Sequence, residues 1–153
     1  MTNNDYLRSI RFILGVNEAK LADILKLAGL AIPVSDLECF LLNEEDDDYL
    51  VCNDEIMANF LDGLIYFKRG RDESRPAPEI ELPITNNIVL KKLKVAFALK
   101  EDDMHEILSL AQFRVSRPEL SALLRNKNHS NYRECGDQFL RNFFKGLAVK
   151  NQC

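Results

Sequence analysis

Four side chains with usable chemistry recur at one spacing: Tyr49 and Tyr132, Cys52 and Cys135, Asp54 and Asp137, Asn59 and Asn142. A phenol, a thiol and a carboxylate so close in the chain are the groups from which a nucleophilic or acid–base site is built. Cysteine chemistry also needs a base, usually histidine, to raise the thiolate fraction. His105 and His129 both fall in the second half and have no counterpart in the first. The shared residues therefore read as structural. Asp54 and Asp137 can cap a helix, the cysteines can serve as small buried hydrophobes, and the tyrosines and asparagines can hydrogen-bond within a loop.

Glu44, Glu45, Asp46, Asp47 and Asp48 are dense in hard oxygen ligands. They lack the alternate spacing and central glycine of a calcium loop, so the run reads as a solvated acidic segment and a candidate interaction loop. The sequence holds no glycine-rich phosphate loop, HExxH, GxSxG or paired Cys/His cluster. No enzymatic activity, catalytic residue, metal or cofactor is expected. Cys39, Cys52, Cys135 and Cys153 show no CxxC or secreted-framework spacing, which fits reduced cytosolic thiols. No apolar run reaches membrane-spanning length, and MTNNDYLRSIRFIL lacks signal-peptide order, so a cytoplasmic protein without membrane contact is expected.

These residues recur because the chain repeats itself. Residues 3–67 lie over 86–150 without a gap at an offset of 83 (86 − 3), with 18 of 65 positions identical. Fixed-period self-similarity of this kind announces a duplicated architecture. The two copies have diverged in charge. Residues 1–70 carry 6 basic and 13 acidic side chains (net −7), 71–85 carry 2 and 4 (net −2), and 86–153 carry 12 and 7 (net +5), which sum to −4. The acidic loop Asn43–Cys52 corresponds to Asn126–Cys135, which holds Lys127, His129 and Arg133. Equivalent loops of opposite sign can attract each other, so a protein partner or self-association is the preferred reading.

Nucleic acid is the rival partner. Met104–Ala111, a short break and Ser116–Arg125 resemble a helix-turn-helix. Arg114, Arg117, Arg125 and Lys127 fall at its rim, and Lys91, Lys92 and Lys94 add a basic first helix. The turn lacks a glycine, and a whole-chain charge of −4 opposes duplex binding unless one face is locally basic.

The elements that must position these groups are helical, with no alternating strand pattern. In the second copy Asn86 or Asn87 can cap a helix through about Leu99, Glu101-Asp102-Asp103 can open a second, and Ser116-Arg117-Pro118-Glu119 is a capping box for a third. Asp137 opens a fourth, with Phe139, Leu140, Phe143 and Leu147 inward. The first copy predicts helices over 5–15, 18–28, 35–42 and 54–68, with Ser35 as a cap displaced by two positions from Ser116. The expected fold is all-α: a repeat over 3–70, a proline-rich linker over 71–85 and a repeat over 86–150, packed about a pseudo-twofold axis. At about 3 Å per residue the linker reaches roughly 40 Å. Gly63 and Gly146 interrupt helix patterns at equivalent positions, which points to close backbone approach. Phe60, Gly63, Leu64, Phe143, Gly146 and Leu147 are the candidate interface between the repeats, through their fourth helices.

Three stretches carry a family resemblance: Asn86-Asn87-Ile88-Val89-Leu90-Lys91-Lys92-Leu93, Gly63-Leu64-Ile65-Tyr66 running into Lys68-Arg69-Gly70, and Arg133-Glu134-Cys135-Gly136-Asp137-Gln138-Phe139-Leu140-Arg141. They resemble the YehS-like family, small bacterial proteins built from two copies of a domain of unknown function. The resemblance covers essentially the whole chain and implies a duplicated cytosolic protein. It brings no catalytic residues to carry over. The functional expectation is a non-enzymatic binding or regulatory module, with nucleic-acid binding by residues 104–125 as the alternative.

Overall fold

The computed structural model describes residues 1–152; Cys153 lies outside the described residues. Among these are eight α-helices and no strand. In order they are α1 (Asn3–Leu14), α2 (Glu18–Leu27), α3 (Val34–Phe40), α4 (Asp54–Arg69), α5 (Asn86–Ala96), α6 (Glu101–Leu110), α7 (Arg117–Leu124) and α8 (Asp137–Gln152). The chain divides into two compact units, Met1–Ile84 and Thr85–Cys153. All four helix starts recur at the sequence offset of 83 (86 − 3, 101 − 18, 117 − 34, 137 − 54). None of the described helices is long and apolar enough to cross a membrane.

Threonine opens the first helix of each unit. The Thr2 hydroxyl accepts the Asp5 N–H at 3.1 Å while the Asp5 carboxylate accepts the Thr2 N–H at 2.9 Å, a reciprocal capping box. Thr85 likewise accepts the N–H of Ile88 at 3.2 Å. The cap expected at Asn86 or Asn87 is therefore corrected: threonine stands just before them, and the asparagines act at long range. The Ser35 expectation is corrected too. α3 begins after Pro33 with no side-chain cap, whereas Ser116 caps α7 by accepting the Glu119 N–H. Pro33 and Ser116 are equivalent positions, so the misfit between repeats disappears. α4 is capped by Asn53, whose side chain accepts the Ile56 N–H at 2.8 Å, and Asp54 is the first helical residue instead.

α5 stops at Ala96, short of the expected Leu99, because Ala98 turns left-handed with φ 53° and the Leu99 N–H returns to the Lys94 carbonyl at 2.9 Å. The equivalent position in the first unit is Gly15, with φ 66°. The pattern recurs after the second helices, where Gly29 has φ 87° and Gln112 has φ 58°. The second unit thus holds L side chains in a conformation that favours glycine.

In each unit the fourth helix packs along the second, α4 on α2 and α8 on α6. Leu7, Ile10, Leu21, Ile24, Leu37 and Met57 are fully or almost fully buried, as are their equivalents Leu90, Leu93, Met104, Ile107, Leu120 and Leu140. A Cβ on Gly63 would fall on the carbonyl oxygen of Ile24, and one on Gly146 on that of Ile107. The close approach expected at these glycines is made inside each repeat, to its own second helix, and this alone demands glycine. Phe60, Leu64, Phe143 and Leu147 beside them are buried. Residues 71–83 are exposed, with a turn at Asp72–Arg75, before Ile84 donates its N–H to Asp54 at 3.2 Å.

Candidate functional site

The asparagine pairs that open each repeat hold the loop ahead of the fourth helix. In the first unit, the Asn4 amide donates to the carbonyls of Phe40 at 2.9 Å and Leu50 at 2.8 Å, while its oxygen accepts the Cys52 N–H at 3.0 Å. Asn3 donates to the Cys52 carbonyl at 3.1 Å and the Asp54 carboxylate at 2.7 Å. The second unit repeats every bond. Asn87 donates to Leu123 and Arg133 and accepts from Cys135, and Asn86 donates to the Cys135 carbonyl and to Asp137. Asn4 and Asn87 are buried, so each satisfies backbone groups that would otherwise lie unpaired in the interior.

This clamp accounts for two of the shared chemical residues. Cys52 and Cys135 are buried, and burial, reinforced by the charges of Asp54 and Asp137, pushes both thiols up to about 12. Each Sγ faces a backbone carbonyl, Asn53 at 3.7 Å and Gly136 at 3.6 Å. Such thiols stay protonated near neutrality and are poor nucleophiles. The hydrogen bond from Asn86 holds the Asp137 carboxyl below its usual range. A shallow cleft of about 530 Å³ in the first unit runs past Tyr49, Cys52 and Asp54, bringing three of the shared residues together without a base to activate the thiol. Asn59 and Asn142 sit on the fourth helices and donate to carbonyls one turn back, Glu55 at 2.9 Å and Gln138 at 2.8 Å. No group of three or more His, Cys, Asp and Glu among the described residues is placed to hold a metal ion.

The charged loops share one frame. Asp46 bonds back to Asn43, Tyr49 to Asp46 and Leu50 to Cys39; His129 bonds back to Asn126, Tyr132 to His129 and Arg133 to Ala122. Inside the turn the Asp46 carboxylate accepts the Asp48 N–H at 2.9 Å, and the His129 ring Nδ1 accepts the Asn131 N–H at 3.0 Å. The backbone is conserved between repeats while the display changes sign. Glu44, Glu45, Asp46, Asp47 and Asp48 are all exposed, against exposed Lys127 and His129.

The basic candidates separate into distinct settings. Lys91 donates to the Arg125 carbonyl at 2.7 Å, the role Arg8 plays at the Leu42 carbonyl at 2.9 Å, so it secures the end of the third helix. Lys92 and Lys94 are half-buried on α5, and Arg114 and Lys127 are exposed. Arg117 donates to Asp102 at 2.7 Å, a bond that holds the Asp102 carboxyl below its ordinary value. Arg117 and Arg125 border an open groove of about 860 Å³, and Arg133, Tyr132 and Ser130 complete its wall. Sequence reading placed Arg133 in a basic loop but did not foresee this groove. The available signal was the offset itself: Arg117, Arg125 and Arg133 replace Val34, Leu42 and Leu50. In the first unit that face leaves Val34 38%, Leu50 42% and Val51 73% exposed.

Two equivalent four-helix repeats, each locked by an asparagine clamp, define a duplicated all-helical protein. The chain belongs to the family described as "Protein of unknown function (DUF1456)", which matches residues 3–70 and 86–152, one segment per repeat. It is 50% identical over 150 residues to the "Uncharacterized protein YehS" of Escherichia coli (strain K12), covering 98% of this chain and 96% of that relative. No solved structure matches it.

Proposed function

We propose that this chain is a non-enzymatic binding or regulatory module of the cytoplasm, acting through protein–protein contacts and self-association of its oppositely charged repeats. The supporting observation is the pair of loops: the same backbone hydrogen bonds display five exposed acids in one repeat and basic side chains in the other. Random drift of a solvated surface has no reason to invert its sign while keeping its frame. Exposed ion pairs are individually worth about 0–1 kcal/mol, so the charges steer and orient association more than they hold it. Sedimentation velocity over a concentration series, at about 20 mM and about 300 mM salt, tests this reading. Concentration-dependent association that weakens at high salt supports it; a monomer throughout, with no protein partner retained, refutes it.

A second reading keeps nucleic acid as the partner, because Arg114, Arg117, Arg125 and Lys127 are exposed along the α6–α7 segment. Against it, Arg117 is already engaged by Asp102, and α7 has only eight residues. Anisotropy of labelled duplex DNA, single-stranded DNA and RNA at the same two salt concentrations decides it. Binding that falls steeply with salt favours a phosphate-contacting face.

A further inference from the structure

We infer that the arginine groove of the second unit receives the acidic loop face of the first unit of another copy, in a head-to-tail contact. This rests on the self-association reading and gives it a specific surface. The groove wall carries Arg117, Arg125 and Arg133 beside Tyr132. An arginine stem covers aliphatic surface while its guanidinium bonds a carboxylate, so its complement mixes aliphatic groups with acids. The equivalent face of the first unit has that composition. Val34, Leu50 and Val51 are exposed large hydrophobics, and Glu44–Asp48 are exposed acids on the adjoining turn. Apolar groups rimmed by charge are also the usual make-up of a protein interface.

A phosphodiester backbone supplies the charge but not the aliphatic contact. The groove also carries Glu119, and Asp102 already neutralises Arg117, which weakens its field for a polyanion more than for a local carboxylate. A second copy of this chain is therefore the occupant that charge and composition select. Groove and loop face are different surfaces, so the contact is heterologous, and each added copy leaves one of each at the ends of the assembly.

The test uses two full-length variants that neutralise rather than reverse charge, Asp47→Asn with Asp48→Asn, and Arg125→Gln with Arg133→Gln. All four side chains are exposed, and the bonds made by Arg125 and Arg133 to Lys91, Asn87 and Ala122 are through their backbones. Matching thermal unfolding of both variants to the parent confirms the fold. In sedimentation velocity at about 20 mM salt, each variant alone is expected to weaken association by about tenfold or more. An equimolar mixture should form a two-chain species that does not grow, because only one intact groove meets one intact loop. Association of both variants at parental strength overturns the groove assignment and leaves self-association standing. A parent that stays monomeric overturns both. A monomeric parent that binds labelled single-stranded DNA, with binding lost in the arginine variant, makes the groove a nucleic-acid surface and overturns the inference.

Discussion

The side-chain oxygen of Asn87 accepts the backbone N–H of Cys135 at 2.9 Å, across 48 residues of chain. Asn4 and Cys52 repeat the bond at 3.0 Å. One buried amide in each repeat thus ties the start of the first helix to the third helix and to the loop before the fourth.

Removing that amide should be costly. Asn87→Ala strands the carbonyls of Leu123 and Arg133 and the N–H of Cys135, and is expected to lower unfolding free energy by about 3 kcal/mol. Asn142→Ala, which loses only an exposed bond within α8, should stay within about 0.5 kcal/mol of the parent. Urea unfolding of both variants checks this, and equal effects would contradict the clamp.

Gly146→Ala puts a methyl group on the Ile107 carbonyl oxygen, and backbone on both sides leaves no side chain to yield. A loss of about 3 kcal/mol or more is expected. Gly136→Ala meets nothing within 4 Å and is expected to cost less than about 1 kcal/mol. Thermal unfolding of the pair separates a packing requirement from a general intolerance of alanine.

Ala98 and Gln112 hold left-handed backbone where the first repeat uses Gly15 and Gly29. Ala98→Gly and Gln112→Gly should each stabilise the protein by about 1 kcal/mol, relief of strain outweighing the added flexibility of the unfolded chain. A raised denaturation midpoint is the readout; a lowered one would show that neither position is strained.

The thiols link stability to alkaline pH. Cys52 and Cys135 shift from an ordinary 9.0 to about 12 on folding, mainly through burial. Between those values the unfolded chain has released protons that the folded chain retains, so stability present below pH 9 declines as pH rises toward 12. The double variant Cys52→Ala with Cys135→Ala should decline less steeply. At neutral pH, thiol labelling read peptide by peptide should modify half-buried Cys39 well before either buried cysteine.

Much of the architecture is legible in the amino-acid order because it is local. Apolar spacing and the Ser116 cap locate helices through contacts a few residues apart, and the offset of 83 that pairs Asn43 with Asn126 also pairs every helix start. The same local logic misassigned Asn86 and Asn87 as caps, since an asparagine near a helix start is ordinarily one. Their partners lie 36 to 51 residues away, at distances only packing can close.

The sequence by itself determined the duplication, the all-helical class, the positions of the helices and the opposite charges of the two copies, each of which depends on composition or short-range spacing. Tertiary structure alone decided that Gly63 and Gly146 meet the backbones of Ile24 and Ile107, that Lys91 secures the carbonyl of Arg125, and that Arg133 joins Arg117 and Arg125 along one groove. The physical reason is that burial and side-chain reach act across space, and residues distant in the chain become neighbours only once the helices have packed.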